Sequence, residues 1–102
     1  MKIIKLTSQF KKDLKRYQNN PRKMDSLERI VKLLRETGTV PNEYKPHLLI
    51  GNYKGFMECH IDNDFLLIWF DEKANIIKLV RLGSHSELFK GGQIPFGKHN
   101  VD

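Results

Sequence analysis

The chain has a single cysteine, Cys59, so no internal disulfide can staple it, and a reducing cytosol suits it. It has no long apolar run: the longest, Phe65-Leu66-Leu67-Ile68-Trp69-Phe70, falls far short of the ~20 residues that a membrane helix needs. Met1-Lys2-Ile3-Ile4-Lys5 offers neither an extended apolar stretch nor a small-residue cleavage site, which argues against a secretory signal. There is no internal repeat and no low-complexity tract. These absences lead to the expectation of a soluble, cytoplasmic protein that does not engage membranes.

With 102 residues, 39% of them hydrophobic, there is enough material for one modest core and too little for two. The net charge of +6 is unevenly placed. Residues 1–40 carry eleven Lys and Arg against four acids, whereas residues 41–90 carry six against seven. A basic segment of this kind is the footprint expected for a polyanionic partner, because Lys and Arg displace counterions condensed on phosphates. It is equally what a solvated helix surface looks like.

The hydrophobic period divides the chain in two. Ile3 to Thr7 reads as a short strand, and Ser8 as the N-cap of a helix whose apolar stripe is Phe10, Leu14 and Tyr17. A second helix begins either at Pro21 or at the capping-box-like Asp25-Ser26-Leu27-Glu28. It buries Met24, Leu27, Ile30, Val31 and Leu34 and stops at Gly38. After Pro41, Pro46 and Gly51 the period becomes two: Phe56, Glu58 and His60 share one face, and Met57, Cys59 and Ile61 the other. Turns at Asp62-Asn63 and at 71–75 delimit strands over 65–70 and 76–82. The expected fold is α+β: an N-terminal strand, a helix hairpin, then an antiparallel β-meander with the helices packed on one face. The other face is left open for function. The domain is expected to occupy 1–90, and the Gly-rich, aperiodic residues 91–102 to form a flexible tail.

Three of the four histidines lie within residues 47–85. In a three-stranded meander the end of the first strand, the start of the second and the end of the third share one edge. Topology therefore gathers His60, Asp64, Arg81 and His85, with His47 in the connecting loop. Such a set suits RNA cleavage by attack of a 2′-OH on the adjacent phosphate. That step needs a base, an acid for the leaving 5′-oxygen and cations for the phosphate. Imidazoles titrate near the operating pH; Arg81 can fork onto phosphate oxygens, Lys54 can add charge, and Phe89 can stack on a base. A metal site of His47, His60, Asp64 and His85 is the rival reading, but its spacing fits no standard ligand motif, so no metal is expected. Cys59 alternates inward and reads as core.

Over residues 45–89 the chain resembles the YafQ branch of the RelE toxin superfamily. The resemblance is carried by His47-Leu48-Leu49-Ile50-Gly51, Tyr53-Lys54-Gly55-Phe56, Glu58-Cys59-His60-Ile61, Asp64, Phe65 to Trp69, and the run from Arg81 to Phe89. The resemblance implies a RelE-like fold and a ribosome-dependent mRNA interferase of a type II toxin–antitoxin system. Such a protein is monomeric alone, bound in a hetero-oligomer by its cognate antitoxin, and needs no cofactor. It further implies that His85 is the general acid, that Asp64 or His60 is the base or its orienting partner, and that His47 assists. Arg81 would bind phosphate and Phe89 would position the RNA. Met57 and Pro46 depart from the family pattern, which has Arg and Asp there. Two other classes stay open: a non-catalytic, gyrase-binding toxin of the ParE type, and a basic nucleic-acid-binding module.

Overall fold

A computed structural model of the chain describes residues 1–51 and 54–89. The tail expected over 91–102 lies outside the described residues. Strand β1 (Ile3–Leu6) leads directly into α1 (Ser8–Lys15), followed by the long helix α2 (Pro21–Thr37). The cap of α1 is Thr7, one residue before the expected Ser8. Its hydroxyl accepts the Phe10 N–H at 3.0 Å and donates to the Val80 carbonyl at 3.2 Å. A tertiary bond thus chooses between two adjacent hydroxyl residues. Of the two starts open to α2, the earlier one holds: Asn20 caps it by accepting the Lys23 N–H, and Pro21 sits in the first turn, where its missing N–H costs nothing. Gly38 ends it at φ 76°, a left-handed conformation that glycine adopts without steric penalty.

The sheet has the order β1-β5-β4-β3-β2. Strands β3 (Phe56–Asp62), β4 (Phe65–Lys73) and β5 (Ile76–Gly83) form the expected meander. Two additions make the sheet mixed rather than purely antiparallel. β1 pairs parallel with β5, and the segment read as a connecting loop forms a two-residue strand β2 (His47–Leu48) against β3. β4 runs on to Lys73, so the turn into β5 is tighter than the sequence suggests, with positive φ at Lys73, Ala74 and Asn75.

The helices cover one face. Phe10, Leu27, Ile30 and Leu34 meet Cys59, Phe65, Leu67 and Trp69 in the main core, and Met57 packs against it as alternation predicts. The opposite face is not bare. A short helix α3 (His85–Phe89) folds back and buries Leu88 against Leu66, Ile68 and Val80, with Phe56, Phe70 and Phe89 around them. The face expected to be open is therefore closed at one end by the element that carries His85. Among the described residues, no helix is long and apolar enough to cross a membrane.

Candidate active site

Strand register assembles the site. On the α3 side of the sheet one row runs His60, Leu66, Gly83, and the next runs His47, Glu58, Ile68, Arg81. The His47 and His60 rings stand 6.5 Å apart and those of His60 and His85 5.6 Å apart, centroid to centroid. The three imidazoles form an arc along one edge of α3.

Asp64 does not open β4 as expected. It sits in the β3–β4 turn at φ 51°, a conformation that aspartate tolerates better than most residues. From there its Oδ1 accepts both the His85 backbone N–H at 2.9 Å and Nδ1 of the same residue at 2.7 Å. The backbone N–H first, then the ring, hold the Asp64 carboxyl below the usual carboxylate value, and Lys23 adds to the effect. Fixing Nδ1 as the donor to Asp64 leaves Nε2 as the nitrogen turned away from the carboxylate. This is the orienting arrangement that acid–base histidines use.

His47 is held differently. Its Nδ1 lies 3.1 Å from the Lys45 carbonyl and its Nε2 3.2 Å from Oε1 of Glu58. Both nitrogens face acceptors, so the ring is held at both ends. Glu58 is buried, and its Oε2 has no partner among the described residues. The His60 ring, by contrast, has ring neighbours but no hydrogen bond to another described residue, so it is the histidine whose nitrogens are least committed.

Arg81 falls beside the site as topology requires, but its guanidinium does not present a free fork. Nε and Nη2 donate to the two oxygens of Asp13 at 2.7 and 3.2 Å, and Asp13 also accepts the Leu82 N–H at 3.0 Å. The physical reason is that β1 stops opposite Leu79. Beyond that point β5 has no strand on its β1 side, and the Asp13 carboxylate from α1 accepts the Leu82 N–H there. Phe89 is half-buried, its ring 6.4 Å from that of His85, so it serves the small core as well as the site. Lys54 is exposed. Cys59 is buried in the main core, where desolvation pushes its thiol up to about 12, which suits no nucleophile at neutral pH.

The site thus brings together His47, His60, Asp64, His85 and Phe89, and leaves Arg81 occupied. Sequence reasoning missed Glu58 and Asp13. Glu58 had a signal, since alternation put this acid on the face of His60. So did Asp13, three residues after Phe10 on the apolar stripe of an otherwise basic helix.

The fold and the histidine arc define a class: a small helix-hairpin-on-sheet protein with a cluster of histidines and an aspartate at one sheet end. Residues 2–90 match the family model described as a bacterial toxin of type II toxin–antitoxin systems, YafQ. The chain belongs to this YafQ toxin family. The mRNA interferase toxin YafQ of Escherichia coli K12 is 32% identical over 87 residues, covering 84% of this chain and 94% of that protein. YafQ in the crystal structure of the E. coli DinJ-YafQ complex is 31% identical with a TM-score of 0.75, over 87% of this chain and 99% of that one. A metal-bound toxin from Helicobacter pylori is 41% identical with a TM-score of 0.77, over 87% of this chain and all of that one. Among the described residues of this chain, no group of three or more His, Cys, Asp or Glu is placed to hold a metal ion.

Proposed function

We propose that the protein is an mRNA endoribonuclease that cuts by attack of a 2′-OH on the adjacent phosphate. The observation that carries this reading is the Asp64–His85 pair with His60 beside it. Asp64 fixes His85 with Nε2 outward, so His85 is the acid that protonates the departing 5′-oxygen. Asp64 is engaged twice by His85 and is therefore the orienting partner rather than the base. His60, with no hydrogen bond to another described residue and its ring 5.6 Å from that of His85, takes the 2′ proton. His47, its two nitrogens held by the Lys45 carbonyl and Glu58, assists as a fixed neighbour of His60, and exposed Lys54 adds positive charge. Arg81 acts from behind, as a charge fixed by Asp13. Phe89 offers its exposed portion to a base.

The basic helices supply the affinity for polyanions that a toxin working on the ribosome needs, and activity depends on that ribosome. The DinJ-YafQ complex supports a cognate antitoxin as the partner of this chain too, with the toxin monomeric when free. The chemistry uses protein side chains alone. The test is the nature of the ends left on a messenger RNA translated by 70S ribosomes in the presence of the purified toxin. In-line 2′-OH attack leaves 5′-hydroxyl ends and a 2′,3′-cyclic phosphate or its hydrolysis product; 5′-phosphate ends would show that water is the nucleophile and reject the assignment of His60 and His85.

A further inference from the structure

α3 is five residues long, too short to hold a helix by backbone hydrogen bonding alone, yet it carries His85. Three contacts hold its first turn. The Ser84 hydroxyl accepts the Glu87 N–H at 3.1 Å, and Glu87 Oε1 accepts the Ser84 N–H at 2.9 Å, a reciprocal capping box around His85. The same Oε1 accepts the hydroxyl of Tyr17, which comes from the turn between α1 and α2, 70 residues away. The Tyr17 ring also packs on Phe65 at 4.8 Å between centroids. Tyr17 therefore touches both partners' neighbours, with its ring beside the residue that follows Asp64 and its hydroxyl on the carboxylate two residues after His85.

We infer that Tyr17 and Glu87 are positioning residues: a latch from the helix hairpin to α3 that fixes the His85 imidazole toward Asp64 and His60. The inference rests on the reading of His85 as the general acid. Gly83 supports it from the other side. A Cβ there would lie 2.7 Å from Glu87 Oε1 and 3.4 Å from the Leu88 side chain, so the glycine leaves the space the carboxylate fills. Burial pulls the Glu87 carboxyl upward, but hydrogen bonds from Tyr17 and the Ser84 N–H, with the charge of Arg16, outweigh it and hold the group below its ordinary value. Glu87 is then ionised, and the latch closed, at neutral pH. Without it, the buried Leu88 and its N–H on the Ser84 carbonyl still hold α3 on the sheet, but the first turn loses its cap and exposed Asp64 is left to orient the ring.

The test uses Tyr17→Phe, which keeps the ring on Phe65 and removes only the hydroxyl, with Glu87→Gln and Glu87→Ala. The first readout needs no RNA: the titration midpoint and line width of the His85 ring protons, followed by NMR in the folded protein. The groups facing that ring are Asp64 and His60, with Lys23 behind Asp64, and none is changed. The second readout is cleavage of an mRNA on 70S ribosomes. Tyr17→Phe and Glu87→Ala are expected to shift the His85 midpoint and broaden its signals. They should lower kcat about ten- to a hundredfold, the scale that a misplacement of about an ångström imposes, with KM little changed. Glu87→Gln keeps an oxygen acceptor and should fall between wild type and Glu87→Ala. An unshifted His85 titration in Tyr17→Phe overturns the latch whatever the RNA result. A loss of cleavage that follows KM or melting temperature, with the His85 signals unmoved, overturns it too. Wild type that fails to cleave while the latch variants still move the His85 titration sinks the proposed activity and leaves the latch standing.

Discussion

Removing Asp13 should unfold this protein more readily than almost any surface change, although Asp13 lies on a helix that is basic throughout. Its carboxylate is fully buried and meets Arg81 Nε at 2.7 Å, Nη2 at 3.2 Å and the Leu82 N–H at 3.0 Å. The half-exposed Arg16, 3.6 Å away, adds little, because water screens it. In Asp13→Ala the Arg81 guanidinium stays buried without a counter-charge, a change that costs about 3–5 kcal/mol in buried pairs. The stranded Leu82 N–H is part of the same loss, not an addition to it. At a urea dependence of about 2 kcal/mol/M, the midpoint should drop by about 2 M. Asp13→Leu combined with Arg81→Met removes both charges and should recover most of the loss, leaving about 1–3 kcal/mol for the unpaired N–H. Equilibrium urea unfolding followed by tryptophan fluorescence reports it, since Trp69 sits in the main core. A single variant that loses less than about 1 kcal/mol, or a double variant no better than the single, would refute the claim that this pair closes the free end of β5.

Acid should release α3 late. Asp64 and Glu87 both titrate below their ordinary values in the folded protein, so their ties to α3 are complete above about pH 4 and are lost only as pH falls further. Amide signals of α3 should keep their native positions at pH 5; undocking between pH 6 and 7 would contradict the assigned bonds. His47→Ala should slow cleavage and also destabilise, because it strips Glu58 of its one partner among the described residues. His47→Gln, which retains a donor, should stay closer to wild type in melting temperature; equal destabilisation by both would show that the His47–Glu58 contact carries no weight.

How much of this was legible beforehand depended on the range of the contacts. The stripe from Met24 to Leu34, the Gly38 stop and the β3–β5 meander are local periodicities, and each appears as read; the first stripe holds for Phe10 and Leu14, but α1 ends at Lys15 and Tyr17 lies in the turn that follows. β2 was not, because two residues carry no period. Nor was the parallel β1–β5 pairing, which depends on where the helix hairpin returns the chain. The convergence of His60, Asp64 and His85 followed from meander topology alone. What topology could not give was which partner each side chain would choose. Arg81 falls at the sheet end as read, yet it turns to Asp13, because β1 ends opposite Leu79 and leaves that side of β5 to the α1 carboxylate. The Tyr17–Glu87 bond joins positions 70 apart, and no spacing in the sequence announces it.

The most direct test of the central claim is messenger RNA cleavage by the purified protein, with and without 70S ribosomes, in wild type and His85→Ala. His85 is exposed and belongs to neither core cluster, so the variant should fold as wild type does. The expected result is ribosome-stimulated cutting that falls about 10²- to 10⁴-fold in the variant, the range that a general acid contributes. Cutting that continues at the wild-type rate in a folded His85→Ala protein, or no cutting by folded wild type in either condition, would contradict it.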